Sequence, residues 1–418
     1  MNYIFIDSKG LEEKVGIIEE GRLVEYYIDK KKNEKCVGNI YRGRVINVLP
    51  GMEAAFVDIG EKKNAYLYVK DALPKDMIYK NSYVKIEKVI KKGQEVIVQV
   101  LKESSKNKGP KVTTHITLPG RYLVLTPYSS KINISRKIHD EEEIKRLLKI
   151  GMEIKKDDIG FIFRTQAEGI EKDKLFDEYT KLINLYSKLE RERNFLPCPK
   201  LLYRDVDLGY KIVRDAFNDK IHKIIVNDKE KYDRLLDLQD MISSELKDKL
   251  FFQEDFTVEK QEYIMKNINL ALERKVPLKS GGYIVIDETE ALTAIDVNTG
   301  KYIGSKSLED TIVKTNLEAA EEIARQIRLR DIGGIIIIDF IDMKNNQDVN
   351  AVVAELEKYL SFDRNKTNIV GMTKLGLVEM TRHKVRNSLG YNFIKICPYC
   401  YGKGKILESA IDKRSSIC

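Results

Sequence analysis

Two apolar runs in the C-terminal half of the chain each deliver a carboxylate. Leu292–Val297 reads as a short strand with Asp296 near its end, and Gly333-Gly334-Ile335-Ile336-Ile337-Ile338-Asp339 as a strand of four β-branched residues finishing on an acid. A helix predicted over 309–330, with Val313, Leu317, Ala320, Ala324 and Ile327 on one face, lies between them. Strands connected in this way could set Asp296 and Asp339 side by side at the edge of one sheet. Carboxylates held that close repel, and a hard divalent cation such as Mg²⁺ relieves the repulsion through oxygen ligands. Such a cation polarises a phosphodiester and acidifies a bound water for attack on phosphorus. Asn298, two residues beyond Asp296, falls on the same side of an extended chain and could orient a ligand or a water. Asp287 and Asp342 are nearby acids that keep the assignment from being unique, and an Asp at a strand end is often only a cap or turn residue. The uninterrupted run before Asp339 fits a strand covered on both faces.

A second constellation is Cys397-Pro398-Tyr399-Cys400-Tyr401-Gly402. Pro and Gly bend the backbone so that two thiolates can share one ion, and zinc takes four ligands. The other cysteines, Cys36, Cys198 and Cys418, form no second pair, and His115, His139, His222 and His383 are scattered. Two readings survive: a thioredoxin-like redox pair, or a zinc completed by a second copy of the chain. The βαβ context of a redox motif is missing, which favours the shared zinc. An odd, sparse set of cysteines also argues against a disulfide scaffold.

These groups need a framework, and 418 residues at roughly 150 per domain allow about three domains. The composition, 43% hydrophobic and 33% charged, is that of a globular chain. No apolar run approaches a membrane span and MNYIFIDSKGLEEK has no signal-peptide pattern, so the expected compartment is the cytoplasm. A net charge of +8 leans toward a polyanionic partner. Residues 1–30 read as the start of a sheet, completed by part of a mixed α/β region that follows Pro197 and Pro199. Between them, candidate strands Ile40–Val48, Glu53–Asp58, Ala65–Val69, Tyr83–Val89 and Glu95–Leu101 match a small barrel of the OB type. Phe56, Tyr66 and Tyr68 could share a surface with Arg42 and Arg44, or the rings could be core. Lys106, Lys108 and Lys111 in KESSKNKGPKVTTH are either solvated charge or a rim that contacts phosphates. Further on, Asp140 is placed to cap a helix over 140–149, Gly160–Phe163 runs directly into Arg164-Thr165, and 172–191 has the spacing of a long amphipathic helix.

The runs TNLEAAEEIARQIRLRDIGGIIIIDFIDM (315–343), ALTAIDVNTG (291–300), GNIYRGRVINVLPGMEAAFVDIG (38–60) and CPYCYG (397–402) resemble the ribonuclease E and ribonuclease G family of bacterial endoribonucleases. The resemblance covers nearly the whole chain and is nearer the ribonuclease G branch, because the chain stops soon after the cysteine motif; the family's small C-terminal dimerisation domain is expected to be largely missing. It implies catalytic Mg²⁺ on Asp296 and Asp339 with Asn298 in support, Asp342 not being a direct ligand. It also implies RNA contacts by Phe56, Tyr66 and Lys108, and a 5′-monophosphate sensor at Gly120, Val124, Arg164 and Thr165. The implied fold is multidomain α/β: an RNase H-like subdomain split between 1–36 and 207–271, an S1-type OB-fold barrel at 37–116, the 5′ sensor at 117–206 and a DNase I-like catalytic subdomain at 272–394. A zinc-link follows at 395–405, then a tail at 406–418. Cys397 and Cys400 would hold a structural Zn²⁺ shared by two subunits, giving a homodimer with room for higher assembly. The implied activity is cleavage of single-stranded, A/U-rich RNA to 5′-phosphate and 3′-hydroxyl ends, serving rRNA maturation and mRNA decay. The competing readings are a catalytically silent RNA- or ribosome-binding protein, which would have no use for the paired carboxylates, and a DNA nuclease.

Overall fold

The computed structural model describes residues 1–30, 36–74, 77, 84–104, 108–156, 158–195, 197–237, 239, 245–300, 308–395, 397–400 and 404. The chain forms two compact units: Met1–Lys30, Asp219–Tyr232 and Lys249–Cys418 make the first, Lys31–Asn218 and Asp233–Asp248 the second. None of the helices among the described residues is long and apolar enough to cross a membrane.

The first unit contains two sheets. In one, Tyr3–Asp7 pairs antiparallel with Glu12–Glu19, which pairs antiparallel with Arg22–Lys30. Glu20 and Gly21 both have positive φ, 51° and 79°, the conformation of a two-residue hairpin turn whose twist suits its strands. On its other side Tyr3–Asp7 pairs parallel with Lys223–Val226, which in turn pairs parallel with Leu250–Phe252. The first thirty residues therefore obtain their remaining strands from far along the chain. The junction is pinned by Asn227, whose amide donates to Asp7 and whose Oδ1 accepts from the Ser8 backbone N–H, at 2.7 and 2.8 Å.

The second sheet has six strands, in the order Lys275–Pro277, Tyr283–Glu288, Leu292–Asn298, Gly334–Asp339, Val378–Arg382, Thr367–Met372. Leu292–Asn298 and Gly334–Asp339 run parallel, and the Leu308–Leu329 helix makes the crossover between them, as a parallel pair requires. That helix and Asn346–Leu360 pack on the same face. Their Ala320, Ile323, Ala324, Ile327, Val352 and Leu356 form one core with Ile284, Ile295, Ile336, Ile338 and Val378 of the sheet. Alternation then turns the other face away from both helices. Ile335 is 51% exposed and Ile337 half-buried. The expectation that this strand is covered on both faces is therefore corrected: both helices sit on one side, and the run of isoleucines reflects the crossover geometry on one face and an open surface on the other.

In the second unit, Ile40–Leu49, Ala54–Asp58, Ala65–Tyr68, Glu95–Lys102 and Lys111–Thr113 form a barrel-type sheet, joined at Ile40–Leu49 by the antiparallel strand Lys200–Tyr203. The strand expected over Tyr83–Val89 is corrected for its described residues, because Ile86–Val89 is a helical turn. Ile86 and Ile90 are buried one turn apart while Glu87 and Lys88 face solvent, a helical rather than an alternating pattern. The fifth barrel strand is Lys111–Thr113, hidden in the sequence by its brevity and its lysine-rich approach. Beside the barrel, a four-stranded sheet of Leu118–Pro119, Leu123–Thr126, Ile132–Ile134 and Gly160–Phe163 packs on the helices Glu141–Ile154 and Lys172–Phe195. Asp140 caps the first of these by accepting from Glu142 N–H at 2.9 Å.

Candidate active site

Asp296 and Asp339 are direct register partners on the adjacent parallel strands, and both are exposed on the open face of the six-stranded sheet. Asn298 lies two residues along the same face and its Nδ2 donates to Asp296 Oδ2 at 2.7 Å. The Asp339 carboxyl is pushed above its usual range by partial burial, then by the charges of Asp296 and Asp342. This is the electrostatic tension that a divalent cation relieves. The donor set is oxygen only. Among the described residues no group of three or more His, Cys, Asp or Glu could enclose an ion. Two carboxylates with open positions fit Mg²⁺, which keeps several waters and takes substrate phosphate oxygens. The neighbouring acids behave differently. Asp287 is on the same face but is held in a two-pronged pair by Arg274, with Nη2 to Oδ2 at 2.6 Å. Asp342 lies beyond the strand end.

Sequence reasoning passed over three side chains of this face. Glu379, opposite Ile337, is a half-buried carboxylate one step along from Asp339. Lys275 is in the same cross-strand row as Asp296, through Val285, and Tyr283 is the register partner of Asn298. Strand parity from Asp287 back to Tyr283 was the available signal.

In the barrel, Phe56 and Tyr66 are cross-strand partners with ring centroids 6.2 Å apart in an edge-on arrangement. Ala55, Val57, Ala65 and Leu67 supply the barrel core, so Phe56 and Tyr66 point outward and are half-buried. Arg42 and Arg44 share that outer face, but both guanidinium groups are engaged by Glu95. Lys108 is exposed, two residues before Pro110, whose carbonyl accepts from Tyr66 N–H at 2.8 Å. Lys111 pairs with Asp71 at 2.7 Å, while Lys106 lies outside the described residues.

Gly120, Val124, Arg164 and Thr165 come together at one end of the four-stranded sheet. Arg164 N–H donates to the Tyr122 carbonyl at 2.7 Å, so Arg164, Ile162 and Val124 share a face. Arg164 Nη1 donates to the Gly120 carbonyl at 2.6 Å and pairs with Asp215 at 2.9 Å. Burial pushes the Asp215 carboxyl up, but Arg164 and Arg214 outweigh it and hold it at about 2. Thr165 Oγ1 lies 3.1 Å from Ser135 Oγ, a hydroxyl pair that the sequence did not single out. Gly120 is needed for space: a Cβ there would lie 2.7 Å from the Glu178 carboxyl carbon. Glu178 accepts from the backbone N–H groups of Arg121, Tyr122 and Leu123, which fixes the turn.

Cys397 and Cys400 are half-buried at a turn and neither is in a disulfide. They offer two of the four thiolates of a tetrahedral zinc, and no further ligand gathers beside them among the described residues. Cys418 lies outside the described residues.

Comparison with known proteins shows the family of the chain. The Ribonuclease E/G family matches residues 117–385 and the S1 RNA binding domain matches residues 34–114. The chain is 40% identical over 405 residues to Ribonuclease G of Escherichia coli strain K12, covering 94% of this chain and 82% of that protein. It is 41% identical over 402 residues to Ribonuclease G of Salmonella typhimurium strain SL1344, with the same coverage. To Ribonuclease E of Synechocystis sp. strain PCC 6803 it is 37% identical over 377 residues, covering 89% of this chain and 56% of that protein. An S1 barrel, a matched region that contains the Asp296–Asp339 pair, and identity of this extent show that the chain belongs to the ribonuclease E/G family and is an endoribonuclease of that type.

Proposed function

We propose that this endoribonuclease hydrolyses phosphodiester bonds in single-stranded, A/U-rich RNA, using Mg²⁺ held by Asp296 and Asp339, and leaves 5′-phosphate and 3′-hydroxyl ends. The observation that carries the reading is the register pairing of the two carboxylates on an open sheet face. Bound there, Mg²⁺ supplies Lewis acidity toward a phosphoryl oxygen and a water of lowered pKa. The chain's own part is positional. Asn298 holds Asp296 Oδ2 through its amide, so the carboxylate presents Oδ1 in a fixed direction. The face is exposed at Asp296, Asp339 and Ile335, which leaves it accessible to an extended strand of RNA. Outward Phe56 and Tyr66 offer ring surfaces to unstacked bases, and exposed Lys108, in the approach to the strand that pairs with Tyr66, offers charge to phosphate. Arg164 and Thr165 offer a guanidinium and a hydroxyl to a 5′ monophosphate, so that such ends stimulate cleavage. Its cellular work on this reading is rRNA maturation and mRNA decay in the cytoplasm.

The subdomain reading belongs here too. A split RNase H-like part (1–36 and 207–271) is supported by the strand order in which two parallel strands extend an antiparallel meander. The catalytic DNase I-like part (272–394) is the six-stranded sheet with its helices on one face, followed by the zinc-link.

Asp296→Asn and Asp339→Asn remove charge without changing volume. Each is expected to lower Mg²⁺-dependent cleavage roughly a thousandfold or more while single-stranded RNA binding persists. Cleavage near the wild-type rate by either variant sinks the proposal.

A further inference from the structure

Lys275, Val285, Asp296 and Asp339 are consecutive register partners, so they form one row across four strands of the open face. Lys275 is two strand spacings from Asp296, about 10 Å along the sheet. Its side chain is exposed, but its ammonium has a partner on this face. It lies over the Tyr283 ring, with Nζ 3.5 Å from the centroid, and Tyr283 is itself the register partner of Asn298. The adjacent Arg274 is neutralised by Asp287, whereas among the described residues no carboxylate pairs with Lys275. An exposed lysine is ordinarily a mobile, solvated charge with several rotamers to lose on binding. Here the attraction between the ammonium and the ring face favours the conformer that lies over Tyr283. The result is a positive charge held in line with the two carboxylates, at a distance where the backbone of a strand gripped at Asp296 and Asp339 continues across the sheet.

We infer that Lys275, held by Tyr283, binds a non-scissile phosphate of the RNA strand close to the cleaved bond and so fixes how the strand crosses the carboxylate pair. The inference rests on the proposed role of that pair. Lys275 contacts substrate, and Tyr283 is a positioning residue acting through it.

The test uses a short 5′-monophosphorylated RNA with one cleavage site and a set of copies in which one non-scissile phosphate at a time is a neutral methylphosphonate. For the wild-type protein, one substitution near the cut is expected to raise KM roughly tenfold, the scale of a hydrogen bond to a charged group. Lys275→Gln is expected to show that rise with the all-phosphate RNA, and no further rise with that copy. Tyr283→Phe keeps the wild-type profile because the ring remains, and Tyr283→Leu moves toward Lys275→Gln. Without metal, the slope of log affinity against log salt becomes shallower by about 0.7 in Lys275→Gln, as for one lost phosphate contact on a single strand. An identical methylphosphonate profile in Lys275→Gln and wild type, or an unchanged salt slope, overturns the inference. If that happens while Asp296→Asn abolishes cleavage, this inference alone fails. Intact cleavage in Asp296→Asn overturns the reading beneath it.

Discussion

Arg164 has two tasks that pull in different directions. Its Nη1 is committed to the Gly120 carbonyl and to Asp215, which makes it part of the scaffold. As the candidate phosphate contact it must also present charge outward. Thr165, whose side chain bonds only the Ser135 hydroxyl among the described residues, can be altered with less damage. Thr165→Val is expected to lower the preference for 5′-monophosphorylated over 5′-triphosphorylated RNA by about three- to tenfold with Tm unchanged, because one hydroxyl contact is lost. Arg164→Ala should lower the preference further and also lower Tm, since Asp215 would keep only Arg214. Rates on the two RNAs beside a thermal melt check both; equal loss on the two substrates would assign the pair to structure. The position of Arg164-Thr165 directly after a buried-type strand was legible in the sequence, whereas its candidate role came from the family resemblance. The contacts of Asp215, Glu178 and Ser135 with this segment were not legible, because each comes from an element remote in sequence.

At the scale of elements, the Leu308–Leu329 helix explains why so many charges are buried in the first unit. Ala320, Ala324 and Ile327 face the six-stranded sheet, while Arg325 and Arg328 face the other sheet, where Arg325 Nη1 donates to the Leu23 carbonyl at 2.8 Å. Arg328 bridges Glu19 and Glu25, and Arg364 also pairs with Glu25. Burial alone would raise the Glu25 carboxyl, but Arg364 and Arg328 bring it down to about 2. A carboxylate depressed in the folded state stabilises the fold above its unfolded pKa, and that contribution is lost as pH falls through the folded value. The window here runs from the ordinary value of 4.5 down to about 2, and the full contribution is on the order of 3 kcal/mol. Glu25→Gln is therefore expected to destabilise by about 3–5 kcal/mol at pH 7, leaving two arginines without their buried anion. The gap from wild type should narrow steadily between pH 4.5 and 3 in denaturant titrations; a gap independent of pH refutes the assignment. The apolar face of this helix was legible from its spacing. The second face was not, because Arg and Glu at three- and four-residue steps read equally well as a solvated surface. The same limit applies to the strand before Asp339, where four isoleucines cannot tell one covered face from two, and to Ile86–Val89, too short for its period to register.

At the level of the assembled protein, Cys397-Pro398-Tyr399-Cys400 is the feature that bears on association. The turn holds both thiols half-buried, close together in sequence and outside any disulfide. A structural zinc needs four ligands, and two-fold symmetry supplies them if each of two chains gives the same pair. A site made this way binds its ion strongly only when the chains are together, so metal and association are linked: each stabilises the other. The expected stoichiometry is one zinc per two chains by elemental analysis of the purified protein. Replacing both residues, Cys397→Ser with Cys400→Ser, or stripping the metal with a strong chelator, should shift the mass in light scattering from dimer to monomer. The thermal transition of the variant should then lose the concentration dependence expected of the wild-type dimer. One zinc per chain would mean that each protomer completes its own site. A dimeric mass in the zinc-free double variant would mean that another surface carries the association. Either result rejects the shared site, and neither touches the Asp296–Asp339 pair, whose activity can be assayed on the same preparations.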